Sequence, residues 1–136
     1  MARWQGGHIQ VNTEPCKVLV VDDERDNADT TVTLLEIWGH EAEAAYSADD
    51  AIAKAKALDP DVVLIDLLMP GKDGFQLVND LRSHCPRAKF VAVTGFAKAD
   101  IVRRSREAGF ERVLFKPAPA TVLEEAVETV CASVPK

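Results

Sequence analysis

Residues 61–66 read Asp61-Val62-Val63-Leu64-Ile65-Asp66, four consecutive apolar residues between two carboxylates. An unbroken apolar run of this length fits a strand covered on both faces, because a half-solvated strand would alternate apolar with polar. Upstream, Lys17-Val18-Leu19-Val20-Val21 repeats the pattern. Downstream, Lys89-Phe90-Val91-Ala92-Val93 repeats it again, and Arg112-Val113-Leu114-Phe115 is a shorter copy. Glu41–Ala45 is the weakest strand candidate, since alanines dominate it.

The intervals between these runs carry helical periodicity. Ala28, Val32, Leu35 and Trp38 recur as one stripe closed by Gly39. Ser47 is placed to cap a helix running to about Leu58, which Asp59-Pro60 ends. Phe75, Leu77, Val78 and Leu81 line a third helix that stops before Pro86. A basic helix spans about Asp100–Ala108 and ends at Gly109. Val122, Leu123, Ala126, Val127 and Val130 mark the last one. Five strands alternating with five helices need crossover connections, which make a parallel sheet. The fold class is a doubly wound α/β sandwich with a five-stranded parallel sheet.

Composition narrows the function classes. The chain has 136 residues, enough for one domain, and its 47% hydrophobic share argues against disorder. Sixteen basic against 22 acidic residues give a net charge of −6, which excludes a uniformly basic nucleic-acid surface. No run is long enough to span a membrane, and Gly6, Gly7 and His8 stand where a signal peptide needs an apolar block. A cytoplasmic protein is expected. Cys16, Cys85 and Cys131 are odd in number and far apart, which fits reduced thiols better than a disulfide framework or a zinc site. Residues 1–15 read as a polar tail or linker ending at Pro15, and the domain is expected over 16–134.

In a doubly wound sheet the ligand site lies beyond the carboxyl ends of the strands. Asp22, Asp23 and Glu24 follow the first strand, Asp66 the third, Thr94 the fourth and Lys116 the fifth; the second supplies no comparable group. Each alone reads more readily as a cap or turn residue than as a catalytic one. Their coincidence at one edge argues for a site. Asp22, Asp23 and Asp66 at close range repel unless a cation intervenes, and oxygen ligands without His or Cys favour Mg²⁺. Mg²⁺ in turn invites phosphate oxygens. Asp66, alone at the end of the middle strand, is placed to act as a nucleophile and form an acyl phosphate. Metal and Lys116 would neutralise the transferring group, with Thr94 donating a hydrogen bond.

The segments Val18-Leu19-Val20-Val21-Asp22-Asp23, Asp66-Leu67-Leu68-Met69-Pro70-Gly71-Lys72-Asp73-Gly74, Thr94-Gly95 and Lys116-Pro117 resemble the receiver domain of two-component response regulators. The resemblance covers about Cys16 to Val134. It implies a flavodoxin-like sheet of strand order 2-1-3-4-5, with Asp66 as phosphoacceptor and Asp22, Asp23 and Asp66 holding Mg²⁺. The backbone carbonyl of Leu68 would complete the metal shell, Thr94 and Lys116 would contact the phosphoryl group, and the Lys116–Pro117 bond would be cis. The implied donor is a histidine kinase or a histidine phosphotransfer protein, and the implied output surface is the fourth helix, fifth strand and fifth helix. Neither direct nucleic-acid binding nor membrane insertion is expected. In the resembled family the residues two past the phosphoacceptor and two past the threonine flank the path of hydrolytic water. Here they are Leu68 and Phe96, both apolar, so slow self-dephosphorylation is expected. One departure concerns Val113, three residues before the lysine, where the family often has an aromatic ring that swings inward.

Rival readings fit less well. An Mg²⁺-dependent phosphatase or phosphotransferase with an Asp nucleophile needs an acid two residues on, and that position is Leu68. A flavodoxin-like redox carrier needs a phosphate-binding loop where Asp22-Asp23-Glu24 would repel it. The protein is thus expected to be a signalling module rather than an enzyme. With two residues after Val134, a DNA-binding output domain of roughly 50 residues is not expected. A complete single-domain regulator and the receiver of a hybrid histidine kinase both fit. His8, His40 and His84 read as surface residues and Trp38 as packing. Lys98, Arg103, Arg104 and Arg106 read as a solvated basic face, with a docking surface for an acidic partner as the alternative.

Overall fold

The computed structural model describes residues 3–5, 8–10, 15–71, 73–95 and 99–134. Two short strands come first, β1 (Arg3–Gln5) and β2 (His8–Gln10), paired antiparallel with Trp4 opposite Ile9. The domain then runs β3 (Lys17–Val21), α1 (Arg25–Ile37), β4 (Glu41–Ala45), α2 (Ala48–Leu58), β5 (Val62–Asp66), α3 (Gly74–Arg82), β6 (Lys89–Thr94), α4 (Ala99–Glu107), β7 (Arg112–Phe115) and α5 (Ala120–Ala132). Strands β3 to β7 form one parallel sheet in the order β4-β3-β5-β6-β7. Among these five, the chain order is second, first, third, fourth, fifth, as the resemblance implied.

Alternation along each strand splits the core into two layers. Leu19, Val21, Val63, Ile65, Phe90 and Ala92 point to one face and pack with Ala51, Ala55 and Leu58 of α2 and Leu77, Val78 and Leu81 of α3, with Ile101 of α4 against them. Val18, Val20, Val62, Leu64, Val91 and Leu114 point to the other and pack with Ala28 and Leu35 of α1 and Leu123, Ala126, Val127 and Val130 of α5. Both faces are therefore covered, which is why the strands read as continuous apolar runs.

Local chemistry sets the helix ends. The Ser47 side chain accepts the Asp50 N–H, and Asp73 accepts the Gln76 N–H at 2.8 Å, capping α2 and α3. Asp59 closes α2 in the left-handed region, just before Pro60. No helix among the described residues is long and apolar enough to cross a membrane.

The antiparallel β1–β2 pair lies within residues 1–15, the stretch read as a tail or linker. Two expectations are corrected. Cys16 and Cys131 are not separate thiols but form a disulfide, with Cα atoms 6.1 Å apart across 115 residues of sequence. Spacing hid this pair, since the crossover of α5 alone brings its last turn to the start of β3. His40 is not a surface residue either. It is buried, and its Nδ1 accepts the Cys16 N–H at 3.1 Å. Trp38 is half-buried against the α1–α5 layer, in line with its reading as packing.

Candidate phosphoryl and metal site

The parallel register brings the strand ends level. Asp22 follows β3 and its N–H donates to the Ala45 carbonyl, extending the ladder by one rung. Asp66 and Thr94 were expected just beyond their strands; instead each is the last residue of one, Asp66 opposite Val93 and Thr94 opposite Phe115. Lys116 follows β7, and its N–H donates to the Thr94 carbonyl at 2.8 Å. The Lys116–Pro117 peptide bond is cis.

Side chains from these positions meet at one edge. Lys116 Nζ lies 3.0 Å from Asp22 Oδ2 and 3.2 Å from Asp66 Oδ2, bridging two carboxylates. The remaining oxygen of each is held by local backbone: Asp22 Oδ1 accepts the Glu24 N–H at 2.9 Å, and Asp66 Oδ1 accepts the Leu68 N–H at 3.0 Å. Asp22 and Asp66 are each only 7% exposed, Thr94 is fully buried, and Asp23 is exposed. One carboxylate oxygen from each of Asp22, Asp23 and Asp66 lies within 4.8 Å of the others. Two buried carboxylates bridged by an ammonium thus lie beside a third carboxylate at the surface.

Burial pushes the Asp66 carboxyl above the usual carboxylate range; the Leu68 N–H and the Lys116 ammonium oppose that shift, and Asp22 adds to it. Burial alone would lower the Lys116 pKa, but its hydrogen bond to Asp22 and the charges of Asp66 and Asp22 outweigh this and hold it raised. The lysine is therefore a permanent cation here. A hard divalent ion suits the three carboxylates, because all the donors are oxygens and the excess charge is negative.

The loop after Asp66 depends on a close approach. A Cβ on Gly74 would lie 2.9 Å from the Leu67 Cα and 2.7 Å from its Cδ2, so only glycine lets α3 begin against the β5 exit. Leu68 itself is 48% exposed at the rim. Phe96 and Lys98 lie outside the described residues. Of the remaining basic residues of α4, Arg103 pairs with Asp100 and Glu107, and Arg104 lies 4.4 Å over the Phe75 ring. Val113 packs inward against the α2–α4 layer. Sequence reasoning missed a cavity of about 500 Å³ that opens beside the acids, walled by Asn27, Thr30, Thr31 and Leu34 of α1 and by Leu123 of α5. Its signal was the polar spacing of Asn27, Thr30 and Thr31, one helical face just after Asp22-Asp23.

Known proteins carry the same pattern. Residues 18–128 match the model of the response regulator receiver domain. Response regulator protein VraR of Staphylococcus epidermidis is 32% identical over 117 residues, covering 82% of this chain and 54% of that protein. Transcriptional regulatory protein ZraR of Salmonella typhimurium is 30% identical over 115 residues, covering 85% of this chain and 26% of that protein. The chain thus spans about half of one curated relative and about a quarter of the other. Among solved structures, a CheY-like receiver domain protein from Methanospirillum hungatei superposes with TM-score 0.80 at 28% identity, covering 87% of this chain and 94% of that one. Chemotaxis protein CheY4 of Vibrio cholerae gives TM-score 0.80 at 27% identity, covering 85% and 98%. The strand order, the acid cluster bridged by a lysine and the match over 18–128 all point the same way, and the chain belongs to the family of response regulator receiver domains.

Proposed function

We propose that residues 16–134 are the phosphoacceptor unit of a two-component phosphorelay. In this reading Asp66 takes a phosphoryl group from the phosphohistidine of a histidine kinase or phosphotransfer protein in the cytoplasm. The carrying observation is the Lys116 bridge between Asp22 and Asp66, which puts a fixed cation against the two buried carboxylates. Asp66 Oδ2 is the nucleophilic oxygen in this account. It sits at the end of the central strand, and the Leu68 N–H fixes the carboxylate plane through the other oxygen. Asp22 and Asp23, with the Leu68 carbonyl, would hold Mg²⁺, which when bound supplies charge neutralisation for the incoming phosphoryl oxygens. Lys116 would leave the carboxylates to pair with the new phosphoryl oxygens, and Thr94 would donate its hydroxyl to one of them.

Output is assigned to the surface of α4, β7 and α5. Phe115 and Val122 are large apolar side chains exposed there, 39% and 41%. Because Val113 cannot provide a swinging ring, the signal would pass through the β6–α4 and β7–α5 connections that carry Thr94 and Lys116. Incubation with acetyl phosphate tests the reading. With Mg²⁺ the intact mass should rise by one phosphoryl group per chain, and with the metal chelated it should not. Labelling that ignores the metal would contradict it.

A further inference from the structure

Cys16 immediately precedes β3, and Cys131 lies in the last turn of α5. Helix α5 follows the edge strand β7, yet its Leu123, Ala126, Val127 and Val130 cross inward to pack on Val18, Val20, Val62 and Leu64. Its first turn therefore stands near Lys116 at the acid edge, and its last turn stands at the opposite edge, where β3 begins. The disulfide joins that last turn to the strand leading to Asp22 and Asp23.

Both cysteines are almost wholly buried, 1% and 0% exposed, within the apolar layer between the sheet and α1 and α5. A thiol is a small, weakly polar group that such a layer accommodates without a hydrogen-bond partner. Breaking the bond thus leaves two neutral thiols in that layer rather than buried charges. The Cys16 backbone is fixed by the His40 Nδ1 acceptor and by its carbonyl, which accepts the Glu41 N–H. The Cys131 carbonyl accepts the Val134 N–H at 3.2 Å, and the residue lies one position from the end of its helix, where local opening costs less than in the middle.

We propose that Cys16 and Cys131 are a reversible thiol–disulfide exchange site, and that its redox state sets how tightly the end of α5 is held on the sheet. The partner is a dithiol. One of its thiolates attacks the Cys131 sulfur as the last turn opens, and the Cys16 sulfur leaves as a thiolate and takes a proton. The second dithiol sulfur then displaces Cys131 from the mixed disulfide. Two protein thiols result, and the dithiol becomes a disulfide. This site is independent of the metal and phosphoryl reading, being at the other edge of the sheet. Cys85 does not compete, because burial pushes its thiol up to about 11.

The test equilibrates the whole chain with oxidised glutathione and exposes the folded protein to dithiothreitol for increasing times. It is then denatured in N-ethylmaleimide and weighed. The oxidised chain should take one label, on Cys85, and the reduced chain three. Reduction should run faster than global unfolding measured under the same conditions. Amide exchange near 128–134 should accelerate on the order of tenfold on reduction, with β5 and β6 unchanged. Cys131→Ala should show the fast pattern with or without dithiol, and Cys85→Ala should keep the redox response. Three labels after oxidation, reduction no faster than unfolding, or acceleration spread evenly over the sheet would each overturn the proposal.

Discussion

Leu68 combines two roles in one residue. Its N–H fixes Asp66 Oδ1, while its side chain stands half in solvent beside the proposed phosphoacceptor. An apolar side chain there cannot orient a hydrolytic water, so the aspartyl phosphate should be long-lived. Leu68→Glu keeps the N–H and adds a water acceptor. Loss of the phosphoryl group after donor removal should speed up about tenfold, a barrier change of about 1.4 kcal/mol. An unchanged decay rate would show that this side chain does not gate water. His40 gives a second residue-level expectation. Burial holds its pKa below 6.5, the charge of Glu124 opposing only in part, and its Nδ1 must stay unprotonated to accept the Cys16 N–H. The unfolded chain therefore binds a proton below about pH 6.5 that the folded chain resists. Stability contributed this way is complete above that pH and is lost as the pH falls toward the lower folded value. Denaturant midpoints at about pH 7.5 and about pH 5.5 should differ less in His40→Gln than in the parent chain. Equal differences would contradict the assignment.

Among the elements, α3 is the one whose start is fixed by a single atom's worth of space. Gly74→Ala drives a Cβ to 2.9 Å from the Leu67 backbone, which cannot move without shifting the exit from Asp66. A loss of about 1–3 kcal/mol is expected in denaturant unfolding. At Gly95 an added Cβ meets nothing within 4 Å among the described residues, so Gly95→Ala should stay within about 0.5 kcal/mol. Equal effects at the two glycines would show that the close approach is not the cause. The elements were also where the sequence was most readable. The runs at 17–21, 62–65 and 89–93 announced themselves because both sheet faces are covered, and even the alanine-rich β4 formed where expected. The β1–β2 pairing was missed because each of its strands has three residues, too few for a period to register.

Across the whole molecule, what the sequence conveyed best was the placement of chemistry at the strand ends. Asp22, Asp66, Thr94 and Lys116 were legible because strand order and direction bring carboxyl ends to one edge, whatever the details of packing. Contacts that arise from the third dimension alone were not. The Cys16–Cys131 bond and the buried His40 depend on how α5 crosses the sheet, which no local spacing encodes. The central claim remains the site of phosphoryl attachment, and it can be read directly. After reaction with acetyl phosphate and Mg²⁺, borohydride reduction converts an aspartyl phosphate to homoserine, and peptide mass spectrometry locates the change. The account predicts conversion at Asp66 alone, with Asp66→Asn giving none; conversion at Asp22 or Asp23, or undiminished labelling of Asp66→Asn, would contradict it.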